Sequence, residues 1–372
     1  MLLIVTRKIP IFELFGGSAT DELTGLMRQH ADAVRAGGTT AALAVLDDAD
    51  SMAELGMSPV SDSLAVDIRT RLQEIAGICE VRGDPVAHIL LLGGDGIIPF
   101  FRLPNPVPAG VDPDQQVFSD NPYGFLDSPA DWLAPTIGVG RICDGGTADA
   151  FAASLRALIA NRLATPFRAG SCGVINSEWA EASAPVAGLL QQPLDWRLAP
   201  FYSVTSLNRG ELNHRVLYFN LHGFDGDPAW KSYDSARDQF LDVVTPDSFS
   251  PENVAGSLVI SEACYGAQVV ARTPGNSCAV RLQTEGALAV IGATGLVFGS
   301  VLQPWLTIDN ADQFVPVLLQ SARSGKPLGS VLVEGRQQFL EKCKRDGNPP
   351  NSYERKTALQ FILLGDPSVP LP

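Results

Sequence analysis

A histidine and a cysteine stand at the ends of two apolar runs. Arg215 to Leu221 (RVLYFNL) leads straight into His222-Gly223, and Ser257 to Ser261 (SLVIS) leads into Glu262-Ala263-Cys264-Tyr265-Gly266. Thiol catalysis needs these two side-chain types together. The imidazole takes or offsets the thiol proton, the thiolate attacks, and the imidazolium then protonates the leaving amine. Gly223 lacks a Cβ, so the backbone N–H beside the histidine can approach a tetrahedral oxyanion, with the N–H of Cys264 as the natural second donor. Glu262 precedes Cys264 by two residues and therefore shares its face of an extended chain. A carboxylate there would line the pocket for the residue before the scissile bond and would call for a cationic partner. A Glu turned to solvent, or paired with one of the protein's own arginines, fits the same spacing.

Both runs must be strands for this geometry to arise. Short apolar runs alternate with amphipathic segments along the whole chain, the pattern of an α/β protein. Strands are predicted at Leu2–Thr6, Ala41–Leu46, His88–Leu92, Thr136–Arg141, Cys172–Asn176, Arg215–Leu221, Ser257–Ser261, Ala287–Ala293 and Gln360–Leu364. Helical periodicity falls near 20–36, 62–78, 147–163, 181–191, 275–285, 310–323 and 328–345. Such runs imply mainly parallel sheets flanked by helices, with ligands gathering at the carboxyl ends of the strands. Pro99 to Pro135, with eight prolines, reads as mostly loop. A break at Ala164-Thr165-Pro166 divides an N-terminal subdomain, 1–166, from a C-terminal one, 167–372.

Composition narrows the choice of partners. The 372 residues carry 27 Lys plus Arg against 41 Asp plus Glu, a net charge of −14. That balance argues against nucleic acid and anionic membranes, which require clustered positive charge. The six cysteines include no C-x-x-C, which excludes the usual zinc motifs. The N-terminal MLLIVTRK has the wrong order and length for a signal peptide. The uncharged stretch Gly286 to Ile308 is interrupted by three glycines and Pro304, so it reads as a buried strand and loop rather than a membrane span. A cytoplasmic protein is expected. Gly93-Gly94-Asp95-Gly96 lacks the spacing of a nucleotide-binding loop. Asp225, Asp227, Asp234 and Asp238 make an acidic loop whose oxygens would suit calcium, but a solvated charge run is the plainer reading, and no cofactor or metal is expected. His30, His88 and His214 read as structural.

The two strand-end motifs resemble the caspase-like cysteine peptidases of clan CD, and the chain is most similar to the gingipain family within that clan. HILLLGGDGIIP (88–99), Ser119-Asp120-Asn121-Pro122-Tyr123-Gly124, Gly138-Val139-Gly140-Arg141-Ile142 and FILLGDPSVPL (361–371) resemble further family segments in the same order. The resemblance implies a caspase/gingipain-like α/β fold: a non-catalytic N-terminal subdomain and a catalytic C-terminal one. It implies Cys264 as nucleophile, His222 as acid/base, and Gly223 with Cys264 as oxyanion donors. Glu178 matches an acidic residue that lies near the family's catalytic histidine, and Trp305 a tryptophan placed against the specificity pocket. The gingipains select Arg or Lys with an acidic residue beyond the Glu178 position. Here only Glu181 lies close by. They carry an apolar residue where this chain has Glu262. Metacaspases carry an acidic residue there and cleave after Arg or Lys, whereas legumains carry Glu and cleave after Asn.

The expected function is therefore a cysteine endopeptidase acting on protein or peptide substrates, through an acyl-enzyme, after Arg or Lys. Cleavage after Asp is disfavoured, because a buried carboxylate would repel it. A free peptidase of this kind calls for gating, by a regulatory protein partner, a proteolytic cut or a ligand. Two rival readings are a catalytically silent interaction domain and an Asn-directed peptidase or transpeptidase, the latter sharing the same thioester.

Overall fold

The computed structural model describes residues 1–60, 64–127, 129, 131–163, 168–200, 209–299, 310–322, 325–344 and 348–370. In the first half of the chain the strands are β1 (Leu2–Thr6), β2 (Ala41–Val45), β3 (His88–Leu92), β4 (Phe101–Pro104), β5 (Gln116–Ser119) and β6 (Gly138–Ile142). The second half supplies β7 (Ser171–Asn176), β8 (Leu194–Ala199), β9 (Val216–Asn220), β10 (Trp230–Asp234), β11 (Gln239–Val244), β12 (Leu258–Ser261), β13 (Ala289–Ala293) and β14 (Phe361–Gly365). Ten of them join in one sheet of order β2-β1-β3-β6-β14-β13-β12-β9-β7-β8.

Neighbours in this sheet are parallel throughout, except for β13 and β14. The sheet is thus two parallel blocks of opposite sense. The carboxyl ends of β9, β12 and β13 face the edge opposite to those of β1, β3 and β6. Strands from 1–166 form one flank and strands from 167–372 the other, joined where β6 pairs with β14. The expected boundary at 166 lies outside the described residues.

The continuous apolar runs are explained by cover on both faces. On one face Tyr218, Ile260 and Ile291 pack with Phe314 and Phe339 from the helices Ala311–Ala322 and Leu328–Cys343. On the other, Leu217, Phe219 and Val259 pack with Val280 from Cys278–Thr284 and with Trp230 of β10. The first flank has its own core, in which β1 and β3 meet the helices Gly17–Ala36, Ala65–Val81 and Ala148–Leu163.

Several segments differ from the sequence expectation, among them the unexpected β10–β11 hairpin and the helices Lys8–Phe15, Ala49–Glu54 and Ser352–Gln360. The stretch Pro99 to Pro135 contains the antiparallel hairpin β4–β5, whose Pro104 sits at a strand end where no ladder donor is needed. β8 is an added edge strand, its LDWRLA carrying Asp195 and Arg197, charges that suit an unpaired edge. The helix expected over 181–191 is a single turn, Ala184–Ala187. Some of the ordered motifs are framework. Arg141 is fully buried and reaches Asp120 through two bonds of 2.9 and 2.6 Å, and the carbonyls of Gly93 and Ile98 through two more. Asp366, of the closing Gly-Asp-Pro-Ser, lies 2.9 Å from Arg162 Nε and 3.3 Å from His30 Nε2.

Candidate active site

β9 and β12 are adjacent and parallel, so their carboxyl ends open at one edge of the sheet. Beyond β9 the chain continues one residue, and His222 then pairs with Lys231 of β10. His222 N–H donates to Lys231 O, and Lys231 N–H to His222 O, both at 2.8 Å. The hairpin β10–β11 is thereby clamped over the strand end. Its Phe240 ring stands 4.9 Å from the imidazole centroid, while Trp179 stands 4.3 Å and Phe224 6.5 Å away. This apolar enclosure pushes the imidazole pKa down to about 4 through burial alone. Among the described residues, His222 Nε2 is buried without a hydrogen-bond partner.

Beyond β12 the backbone turns sharply. Tyr265 adopts φ +56°, a left-handed conformation uncommon for a non-glycine residue. Its N–H donates to Gly295 O at 2.9 Å, and Gly266 N–H donates to Ala263 O at 2.9 Å. Cys264 Sγ accepts from Val297 N–H at 3.3 Å and lies 3.5 Å from Val297 O. Burial pushes the Cys264 thiol up, against the Val297 hydrogen bond and the Lys356 charge, which favour the thiolate. Among the described residues no hydrogen bond joins the imidazole to this sulfur.

Gly223 connects the two halves of the site. A β-carbon on it would lie 1.8 Å from Cys264 O and 3.4 Å from Cys264 N. Only glycine lets the two strand ends approach this closely. The backbones that carry the histidine and the cysteine are therefore in contact, although their side chains hold other partners.

Glu262 lies beneath the site on the Tyr218 face of the sheet. It is 5% exposed, and Tyr218 OH donates to its Oε1 at 2.9 Å. Trp196 stacks on Tyr218 at 5.9 Å and closes that side. Burial raises the Glu262 carboxyl well above its ordinary value, the nearby Asp312 carboxylate adds to the rise, and the Tyr218 bond opposes it. Asp312, itself 8% exposed, opens the helix Ala311–Ala322. Two carboxyl groups thus share a buried space.

Glu178 and Glu181 are exposed on the turn after β7. Among the described residues neither has a hydrogen bond to His222. It is Trp179, next to Glu178, that packs on the imidazole. Trp305 lies outside the described residues. Of the acidic loop, Asp225 bonds Gln268 at 2.7 Å, Asp227 pairs with Lys231 at 3.0 Å, and Asp234 pairs with Arg237 at 3.0 Å. Tyr233 OH donates to Asp238. Among the described residues no three His, Cys, Asp or Glu side chains converge as a metal site.

The turn that carries Cys264 is also supported by residues with no motif in the sequence. Asp114, from the loop joining β4 to β5, accepts from Tyr265 OH at 2.7 Å and from Leu296 N–H at 2.7 Å. It also pairs with buried Lys356 at 2.7 Å, and Lys356 bonds Asp112 as well. A lone lysine in a helix and two aspartates in a proline-rich loop carry no spacing signal that would join them.

Residues 203–372 match the family model of Peptidase family C25, the gingipain family of clan CD. The chain has the fold of the Arg specific cysteine proteinase gingipain R, whose crystal structure superposes with a TM-score of 0.62 at 13% identity, covering 99% of this chain and 77% of that one. A second solved structure, described as a protease, gives a TM-score of 0.63 at 13% identity over 99% of this chain and 78% of the other. No curated protein matches the chain by sequence. The resemblance to the gingipain family and the caspase-like α/β class therefore hold. No helix among the described residues is long and apolar enough to cross a membrane.

Proposed function

We propose that the chain is a cysteine endopeptidase that cleaves after Arg or Lys. The observation that carries this reading is the contact of Gly223 with the Cys264 backbone, which sets a histidine-bearing and a cysteine-bearing strand end side by side. The C25 match over the same residues supports it.

In this reading Sγ of Cys264 attacks the peptide carbonyl and its proton passes to His222. An imidazole held near pKa 4 is neutral at pH 7, so it serves as a base toward the thiol rather than as half of a standing ion pair. The developing oxyanion takes the N–H groups of Gly223 and Cys264. The C–N bond then breaks as His222 returns the proton to the leaving amine. Water attacks the thioester, restoring the thiol and releasing the carboxylate. Glu262, with Asp312 beside it, receives the cationic side chain before the scissile bond. Glu178 and Glu181, on the exposed turn, add acidic charge near the site. The thiol held by Val297 supports a gated enzyme, in which substrate or a protein partner must first bring the sulfur to the imidazole.

The test is cleavage of fluorogenic peptides ending in Arg, Lys, Asn or Asp by the wild-type chain and by Cys264→Ala. Turnover of Arg or Lys peptides that the variant lacks is the expected result. Equal turnover by both proteins would remove Cys264 as nucleophile. Preference for Asn would favour a second reading, in which the protonated Glu262 carboxyl donates to a side-chain amide.

A further inference from the structure

The proposed chemistry fixes which side of the site the leaving peptide occupies. The imidazole must reach the departing nitrogen at hydrogen-bond distance, roughly 3 Å. The first side chain after the scissile bond then lies within a few ångströms of the ring. Strand order runs β12-β9-β7, so Cys264, His222 and the turn bearing Trp179 follow one another along the sheet edge. The leaving segment departs toward β7 and the β10–β11 hairpin.

That region is aromatic. Trp179, Phe240 and Phe224 stand 4.3, 4.9 and 6.5 Å from the imidazole centroid, and Phe224 meets Phe240 edge-on at 5.0 Å. Phe224 is 38% exposed and Phe240 45%. Rings of this size left open to water beside a reacting group gain from being covered. The rim carries Asp225 and Asp242, with side chains 72% and 45% exposed, each paired with a cation, Arg272 and Lys231. The cluster therefore suits an apolar occupant, and a carboxylate set among these rings would be desolvated without a partner.

We propose that Trp179, Phe224 and Phe240 form the subsite for the residue following the scissile bond, and that this subsite takes an aromatic or large aliphatic side chain. The inference rests on the peptidase reading above. It names a preference on the leaving side, independent of the one at Glu262.

The experiment uses internally quenched peptides identical up to a scissile Arg and carrying Phe, Leu, Gly or Asp after it. They are given to the full chain, to Phe240→Ser and to Phe224→Ser, with Cys264→Ala as blank. Phe and Leu peptides should exceed the Gly peptide about tenfold or more in kcat/KM, with Asp below Gly. In Phe240→Ser the Phe-to-Gly ratio should fall to within about threefold of one. A variant that merely displaces His222 would slow every peptide alike and leave the ratio unchanged. Cysteine-dependent cleavage with no preference in the wild-type chain, or a ratio that survives both substitutions, overturns the subsite while leaving the peptidase reading intact. Absence of any Cys264-dependent cleavage overturns both.

Discussion

A β-carbon on Gly223 would stand 1.8 Å from the carbonyl oxygen of Cys264, a separation no side chain can occupy. The nearest obstacle is backbone, and it belongs to the sharp turn that sets the thiol, so it cannot swing aside like a flexible side chain. In Gly223→Ala one strand end must retreat from the other. In the proposed reaction the displaced N–H also leaves its place as oxyanion donor, and losing one such donor costs about 2.7–4 kcal/mol of transition-state stabilisation. Activity on Arg peptides should fall at least ~100-fold. Overpacking should lower unfolding free energy by about 1–3 kcal/mol. Steady-state kinetics and urea unfolding measure the two effects. Near wild-type turnover in this variant would separate Gly223 from the chemistry.

The thiol and the imidazole are both held neutral in the free protein, each by burial. Alkylation of Cys264 by iodoacetamide should therefore keep climbing as pH rises above 7, because burial pushes the thiol pKa above its ordinary value. A standing thiolate–imidazolium pair would give a plateau below pH 7. Such a plateau, read from mass-spectrometric rates at Cys264, would contradict the neutral pair.

Acid should weaken the fold through the same histidine. His222 and His88 both have folded pKa values of about 4, lowered by burial, against about 6.5 in the unfolded chain. The unfolded state binds more protons between these values, so stability is full above pH 6.5 and is lost as pH falls toward 4. The linkage limit at pH 4 is roughly 3 kcal/mol for each histidine, and solvent screening lowers the share of the partly exposed His222. His222→Gln should flatten its share of the curve in unfolding measured from pH 7 to 4. An unchanged slope would mean that the ring takes up its proton as readily in the native protein as in the unfolded chain.

Glu262 offers a sharper separation of stability from specificity. Its carboxyl is raised by burial and by Asp312, so the folded state holds its proton above the unfolded value, and stability contributed below the ordinary carboxyl pKa is lost as pH rises. Glu262→Gln removes that penalty and should raise the melting temperature at pH 8. The same change removes the charge-assisted bond to a substrate guanidinium, worth about 1.5–3 kcal/mol, so kcat/KM on Arg peptides should fall roughly 10- to 100-fold. Peptides with an apolar residue at that position should change little. Undiminished Arg cleavage in a stabilised variant would place the selecting charge elsewhere.

How much of this could be read from residues alone follows from where the signal is local. His222-Gly223 and Glu262 to Cys264 stood out because each closes an apolar strand, and strand ends in parallel sheets are where loops diverge. Nine strands were legible for the same reason, since continuous apolar runs encode burial on both faces. β8 and the β10–β11 hairpin were not, because edge and hairpin strands such as WKSYD keep polar residues on an open side and read as loop. Trp179 was invisible as a neighbour of His222, for its placement depends on β7 lying beside β9. The reversal of strand sense at β13 and β14 is a tertiary fact with no local code. The chain motif at Gly138 to Ile142 was legible as a motif, but its physical role, a buried Arg141 holding Asp120, needed the packing.

Asp114 holds the turn that carries Cys264 from two sides, and it is itself held by Lys356. Its carboxylate accepts from Tyr265 OH, directly after Cys264, and from Leu296 N–H, directly before the Val297 that bonds the sulfur. Burial works against its ionisation, yet the bonds from Lys356, Leu296 and Tyr265 keep its pKa below the usual carboxylate range. Lys356 is 1% exposed and also serves Asp112, which is equally buried. Lys356→Met would strand two carboxylates in the interior and should cost about 3–5 kcal/mol, the usual consequence of removing one partner of a buried ion pair. Asp114→Asn keeps one acceptor and leaves Asp112 on the lysine, so about 1–3 kcal/mol is expected. Lys356→Met should also slow alkylation of Cys264 at pH 8, because the lysine charge favours the thiolate. The Asp114 carboxylate opposes the thiolate, so Asp114→Asn should not slow it. Because the two residues share one network, the double variant should lose less than the sum of the singles, by about 1 kcal/mol or more. Strict additivity in urea unfolding, with Cys264 of Lys356→Met alkylating at the wild-type rate, would reduce the network to ordinary framework and leave the turn held by Tyr265 and Gly295 alone.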